Sequence, residues 1–172
     1  MFTVKKNRIR WGAALFLFLL LLSGCGGEEL AGEPVASERE YAQEVSMTEV
    51  EVEREGGDLI LPLDLVEESG IVTFEVEGDY AEAVPVMAYI TPTGRLFTGI
   101  SLCEPCGAET YSLHRDILIC GQCSTTYDIE TREGLEGSTV CMEHPPLELD
   151  HQLTDGKIRI PAEQVTGWQP RL

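Results

Sequence analysis

The sequence predicts a mainly β fold: a small sandwich-like or barrel-like domain carrying two metal-binding knuckle hairpins. Three observations predict it. Turn signals recur about every 8–12 residues between short β-prone runs. No long stretch of the folded part keeps a helical apolar period. Four cysteines fall in two tight pairs, Cys103-Glu104-Pro105-Cys106 and Cys120-Gly121-Gln122-Cys123, with 13 residues between the pairs.

The chain opens on an address. Lys5, Lys6, Arg8 and Arg10 form a positive n-region ahead of an apolar run of 12 residues, Trp11 to Leu22. That run is short for a bilayer span and typical of a signal h-region. It ends in Leu22-Ser23-Gly24-Cys25, which resembles a bacterial lipobox. The resemblance implies cleavage before Cys25 and lipidation of its thiol. The expected location is the extracytoplasmic face of the cell membrane, held by the lipid, with residues 1–24 as signal peptide. Several acyl chains on one cysteine make a firm anchor, because each buried CH₂ adds about 0.8 kcal/mol.

Charge narrows the partners. The chain has 12 basic and 30 acidic residues. Without residues 1–24, and their four basic side chains, eight basic and 30 acidic residues remain, a formal charge of −22. Such a surface repels nucleic acid, and no basic footprint for it exists. Solubility accounts for most of these carboxylates.

Residues 25–46 are rich in Glu, Ala, Gly and Ser and poor in large apolar side chains. They read as an acidic flexible tether reaching roughly 25 Å. A short helix over 37–45 is an alternative there, with Ser37 as cap and Glu40 three residues on. From Met47 the pattern changes, and residues 47–172 are expected to form one β domain of about 120 residues. Val50 and Val52 alternate with Glu49, Glu51 and Glu53 as a half-exposed strand. Gly56-Gly57 is a turn into Leu59-Ile60-Leu61, which Pro62 interrupts. Ile71 to Val76 is a further strand, and Val84 to Ile90 a central one. Pro92-Thr93-Gly94 turns the chain into Leu96–Ile100. Ile117-Leu118-Ile119 leads into Cys120, Tyr127 to Ile129 leaves the second knuckle, and Lys157 to Ile160 follows the Asp155-Gly156 turn. The metal loops are expected at one end of the sheets.

The cysteines carry the chemistry. Each C-x-x-C turn brings two thiolates to one side of the backbone, and two facing turns supply four soft ligands. Zinc, a single iron or an iron–sulfur cluster would suit them. Disulfides across the two knuckles are the alternative in an oxidising compartment. A bridge inside one C-x-x-C closes a very small loop, and neither pair opens a helix in a βαβ unit as redox pairs do. Gly107 and Gly121 follow cysteines and permit the positive φ that aims N–H groups at sulfur. Cys141, in Cys141-Met142-Glu143-His144, is a fifth candidate ligand, and His144 reads better as a surface residue. His114 and His151 read as surface residues too. No hydrolase, P-loop, dinucleotide or haem-attachment motif is present, so no catalytic residue is assigned and the chain is not read as an enzyme.

Residues 57–165 resemble the FtrD-like membrane iron–sulfur proteins associated with bacterial iron transport. The first pair with Gly107, then Tyr111, then Ile119-Cys120 and Cys123, then Tyr127, follow that family's order. Cys141 with Pro145-Pro146-Leu147 matches its last segment, although Ser138-Thr139-Val140 stands where a glycine pair is usual. The resemblance implies metal ligation by Cys103, Cys106, Cys120 and Cys123, with Cys141 as a further ligand. It favours an iron–sulfur cluster or a single iron, with zinc as the alternative. It also implies electron transfer or metal handling beside an iron permease or a redox partner. The loop–strand–loop order is similar to a Rieske domain with C-x-x-C in place of each motif, or to a zinc ribbon or rubredoxin. The rival readings are a structural zinc module for protein interaction, and a metallochaperone working through carboxylates, Cys141 and His144.

Overall fold

The computed structural model describes residues 32–172. The lipobox, Cys25 and the first part of the expected tether lie outside the described residues.

The mainly β expectation holds. In chain order the strands are β1 (Val45–Ser46), β2 (Thr48–Glu49), β3 (Glu53–Glu55), β4 (Asp58–Pro62), β5 (Ile71–Val76), β6 (Val84–Ile90) and β7 (Leu96–Ile100). They continue with β8 (Tyr111–His114), β9 (Ile117–Cys120), β10 (Thr126–Asp128), β11 (Gly134–Glu136), β12 (Gln152–Thr154) and β13 (Lys157–Pro161). Three short helices join them: α1 (Leu63–Ser69), α2 (Thr139–Met142) and α3 (Ala162–Thr166). The strands form three sheets, ordered β1-β8-β9-β10-β11, β12-β13-β4-β3 and β2-β5-β6-β7. All pairings are antiparallel except β2 with β5.

The β2-β5-β6-β7 sheet serves two cores at once. Along β6, Val84, Val86, Ala88 and Ile90 face one core, shared with Leu59, Leu61, Ile158 and Ile160 of the β4–β13 sheet. Met87 and Tyr89 face the other, shared with Leu113, Leu118 and Tyr127 of the five-stranded sheet. Alternate side chains of a strand point to opposite faces. A strand covered on both faces therefore reads as an unbroken apolar run, and every residue of β6 is buried. Burying such a side chain is worth about 1.5–3 kcal/mol, so this strand is where stability concentrates. The first core is closed by Val66 of α1, Val165 of α3 and Trp168. The second contains Cys103, Cys120 and Cys141.

Two expectations are corrected. The half-exposed strand through Val50 and Val52 is two strands. β2 pairs with Val72 and Thr73, β3 pairs with β4, and Val50 and Val52 lie between them, packed on the first core. The chain thus changes sheets within four residues, which alternation alone does not reveal. The tether is also shorter than expected, since residues 35–46 are docked and no helix forms over 37–45. The N–H groups of Val35 and Ala36 donate to the Gly94 carbonyl at 2.8 and 3.1 Å, and that of Arg39 to Pro92 at 3.0 Å. Tyr41 is buried and its hydroxyl donates to the Ile90 carbonyl at 2.6 Å. One large aromatic supplies the burial that an otherwise polar segment lacks. Gly94 permits the approach: its φ is +84°, and a Cβ there would lie 2.2 Å from the Ala36 carbonyl oxygen.

The turn between β6 and β7 is bolted by Glu130. Its carboxylate accepts from the Thr93 N–H and hydroxyl, both at 3.0 Å, and pairs with the buried Arg95. Burial pushes the Glu130 carboxyl up, but the Arg95 guanidinium and the Thr93 N–H more than offset this and hold it below the usual range. A folded pKa below the unfolded value, about 4.3, adds stability that is complete above that value. It is lost as pH falls through the folded pKa. Glu130→Gln should therefore lower stability at pH 7, and the gap to the wild type should close in denaturant melts taken down to pH 3. A gap independent of pH would show that the carboxylate charge is not the source.

Candidate metal centre

Three separate segments deliver the thiols. The first knuckle is a tight loop closed by Cys103 N–H to the Ala108 carbonyl at 2.7 Å, with Gly107 N–H to the Cys103 carbonyl at 2.8 Å. Gly107 has φ +72°, as expected. Cys120 ends β9, and its N–H donates to the Thr125 carbonyl at 2.9 Å. In this second knuckle the positive φ falls on Ser124, at +56°, and not on Gly121. Gly121 is needed for closeness instead: a Cβ there would sit 2.4 Å from the Thr110 hydroxyl. Its N–H donates to the Thr110 carbonyl at 2.8 Å, and the Gln122 amide donates to the Cys106 carbonyl at 2.9 Å, so the two knuckles are tied together.

The third segment is α2. Ser138, Thr139 and Val140, where the resembling family has glycines, open a single helical turn, with Met142 N–H donating to the Ser138 carbonyl at 2.9 Å. The turn presents Cys141 inward. Tyr127 donates its hydroxyl to the Cys141 carbonyl at 2.9 Å and stands 4.0 Å from the Cys103 sulfur.

The sulfurs of Cys103, Cys106, Cys123 and Cys141 all lie within 4.8 Å of one another. Cys123 and Cys141 are 3.8 Å apart. Cys120 is 3.7 Å from Cys106 but stands outside that mutual group. All five are free thiols, so the disulfide alternative is not adopted. Four sulfurs bound to one ion at about 2.3 Å lie about 3.8 Å apart. The grouping is therefore near the spacing of a single tetrahedral ion, and the donor set suits a soft metal. A fifth sulfur in reach exceeds what one such ion takes. The sequence places Cys141 as an accessory to two complete pairs, whereas the fold makes it a member of the tight group and sets Cys120 at its side. His144 is outside the group, its Nδ1 hydrogen-bonded to the Val140 carbonyl at 2.9 Å. His151 is bonded to Thr98 at 3.0 Å.

Local electrostatics separate the thiols. Burial, the Cys106 hydrogen bond and the neighbouring Cys120 push Cys103 far up. Burial raises Cys120 to about 11. Burial also opposes ionisation of Cys123, yet hydrogen bonds from the Thr125 hydroxyl, 3.2 Å away, and the Thr125 N–H bring it down to about 6. Of these three thiols, Cys123 is the one most easily ionised. Thr125, two residues after Cys123, is the side chain that sets this local environment, and only its 3.2 Å contact with the sulfur reveals it. Gly137, with φ +132°, lets that segment approach Thr125.

With this constellation in view, a family model for membrane iron–sulfur containing proteins, FtrD-like, matches residues 66–172. The chain belongs to the FtrD-like family. The matched residues include all five clustered cysteines, Tyr111, Tyr127 and the C-terminal segment. No match is found among curated proteins. The family is described as membrane-associated, and among the described residues no helix is long and apolar enough to cross a membrane.

The C-terminal end of this family domain clamps the centre. The Arg171 backbone N–H and Nε donate to the Glu104 carboxylate, each at 2.7 Å, and its Nη2 donates to the Pro145 carbonyl at 2.8 Å. Glu104 lies between Cys103 and Cys106 with only 3% of its side chain exposed. A carboxylate buried this deeply, in the loop that joins Cys103 to Cys106, needs a cation beside it. Arg171→Ala should cost about 1–2 kcal/mol, below the 3–5 of a fully buried pair because the arginine is open to water. It should also speed loss of metal to a chelator. Unchanged release would show that the clamp does not hold the first knuckle.

Proposed function

We propose that this protein is a lipid-anchored metal–thiolate protein on the extracytoplasmic face of the cell membrane, acting in electron transfer or metal handling linked to iron transport. The observation that carries the reading is the convergence of five cysteines from three segments, four of them with mutually close sulfurs. Family membership supports iron or an iron–sulfur cluster over zinc. Iron bound there would supply a one-electron couple. The chain's own residues would hold it: Cys103 and Cys141 from the buried side, Cys106 and Cys123 from the half-buried side nearer solvent. A site open at one edge lets a partner approach the sulfurs while the second core keeps water from the rest. In this reading the protein is not an enzyme, and its partners are an iron permease or a redox protein at the same membrane. Lipidation of Cys25 would keep it there.

The near-tetrahedral sulfur spacing favours one alternative, a structural zinc site in a protein-interaction module. Metal and acid-labile sulfide analysis of anaerobically purified protein, with an absorption spectrum, separates the two. Iron with visible absorption is expected. A colourless, redox-silent protein holding only zinc would end the electron-transfer reading.

A further inference from the structure

Four of the six exposed large apolar side chains among the described residues, Leu135, Val140, Leu147 and Leu172, flank the cysteine cluster. Val140 precedes Cys141 in α2. Leu135 sits on β11, an edge strand on which α2 packs: a Cβ at Gly134 would lie 2.4 Å from that of Met142. Leu172 follows Arg171, whose guanidinium reaches Glu104 beside Cys103 and the Pro145 carbonyl, two residues before Leu147. Cys106 and Cys123 are the half-buried members of the cluster at this end. Exposed apolar side chains grouped in this way mark a surface that a partner covers.

Charge decides which partner. Glu109, Glu136 and Glu143 are exposed around the same cluster, and none is in an ion pair among the described residues. The nearby Arg171 is committed to Glu104. Two copies of this face would bring like charges together, and anionic lipid would be repelled as well. Position points the same way. The segment that leads back to Cys25 docks at the β6–β7 turn, where the Val35 N–H donates to the Gly94 carbonyl. The cluster follows the other end of β7, where Ile100 pairs with Val86, roughly 17 Å along the strand. The face therefore lies at the end away from the anchor.

We propose that this face is the docking surface for a protein partner that carries basic side chains around an apolar centre and approaches the metal from the aqueous side. The inference deepens the reading above and rests on it for the metal that the partner reaches. Leu135 and Val140 supply the dry centre. The three carboxylates form a rim that speeds encounter and fixes orientation.

Cytochrome c, a haem protein whose exposed haem edge is ringed by lysines, is the probe. Its binding to the metal-loaded full chain in neutral detergent is measured at about 20 mM and about 200 mM salt, and hydrogen exchange locates the contact. Protection is expected over β11 and α2. The Glu136→Gln/Glu143→Gln variant should bind roughly threefold to tenfold more weakly at the lower salt, and the effect should shrink at the higher. Leu135→Ser should weaken binding by a similar factor at both. Glu67→Gln/Glu68→Gln, exposed on α1, changes the net charge equally and should leave binding as it was. Equal weakening by the two double variants, or protection spread over the whole surface, would reduce the binding to net charge and overturn the inference. Protection of β11 and α2 before cytochrome c is added would overturn it too, by showing that a second copy or the detergent covers them. Metal analysis of the same samples separates the two readings. A loaded chain without the footprint sinks only the docking surface, and a chain that takes up no metal removes both.

Discussion

Cys141→Ser is expected to cost the metal centre far more than Cys120→Ser. Cys141 belongs to the four sulfurs that are mutually within 4.8 Å, and Cys120 does not. Replacing a ligand sulfur by a harder, shorter hydroxyl removes a metal bond outright. The loss should therefore exceed the ~10–100-fold that a supporting residue costs. Cys120→Ser should keep tight, stoichiometric binding, because Cys103, Cys106, Cys123 and Cys141 still close a tetrahedron. Metal content after gel filtration and competition with a chromogenic chelator measure both variants. The reverse ranking, with Cys120→Ser empty and Cys141→Ser loaded, would mean that the two C-x-x-C pairs form the site and that the third segment is accessory. Equal loss in both would point to a cluster with more than one metal atom, which draws on all five sulfurs.

Tyr89→Ala is expected to be among the most damaging single changes to the fold, lowering stability by about 3–5 kcal/mol. Tyr89 is fully buried on β6 and faces the second core. Its ring stacks on Phe97 with centroids 4.7 Å apart, and its hydroxyl donates to the Ile129 carbonyl at 3.0 Å. Truncation would open a cavity between the sheet shared by both cores and the sheet that carries the second knuckle. Tyr89→Phe keeps the packing and loses only the hydrogen bond, so it should cost about 1–2 kcal/mol through the unsatisfied carbonyl. Denaturant melts of the two variants separate packing from hydrogen bonding. Similar losses in both would place most of the effect on the hydroxyl. The alanine variant should also release metal faster, since the strand after Cys123 leans on this layer.

The strands that could be read from the chain are the ones with strong local signals. β5, β6, β7 and β13 fall where apolar runs and Gly turns place them. β6 was legible because a strand buried on both faces carries seven apolar or β-prone residues in a row. β8, β11 and β12 are not legible, because Tyr111–His114, Gly134–Glu136 and Gln152–Thr154 are only four, three and three residues long. Their partners in the sheet make them strands, a tertiary effect that overrides weak propensity. The helices escaped for a similar reason. Each is a turn or two long, too short to show a 3.6-residue period. Composition misplaces residues 35–46 because it weights every residue alike, whereas the single buried Tyr41, four backbone hydrogen bonds and the pairing of β1 with β8 dock the segment.

At the cysteines the division is sharper. Spacing along the chain is enough to mark these thiols as candidate metal ligands, because a C-x-x-C turn is a local object closed by its own hydrogen bonds. Resemblance is enough to name the family. Which sulfurs meet, however, depends on segments up to 38 residues apart in sequence, from Cys103 to Cys141. No local rule orders them. The Gly121 approach to Thr110 draws the knuckles together, and α2 brings in Cys141. Tyr127 and Arg171 then hold the third segment against the first two. That closure places Cys141 inside the group and Cys120 beside it. Local chemistry chose the ligand type; long-range packing chose the ligand set.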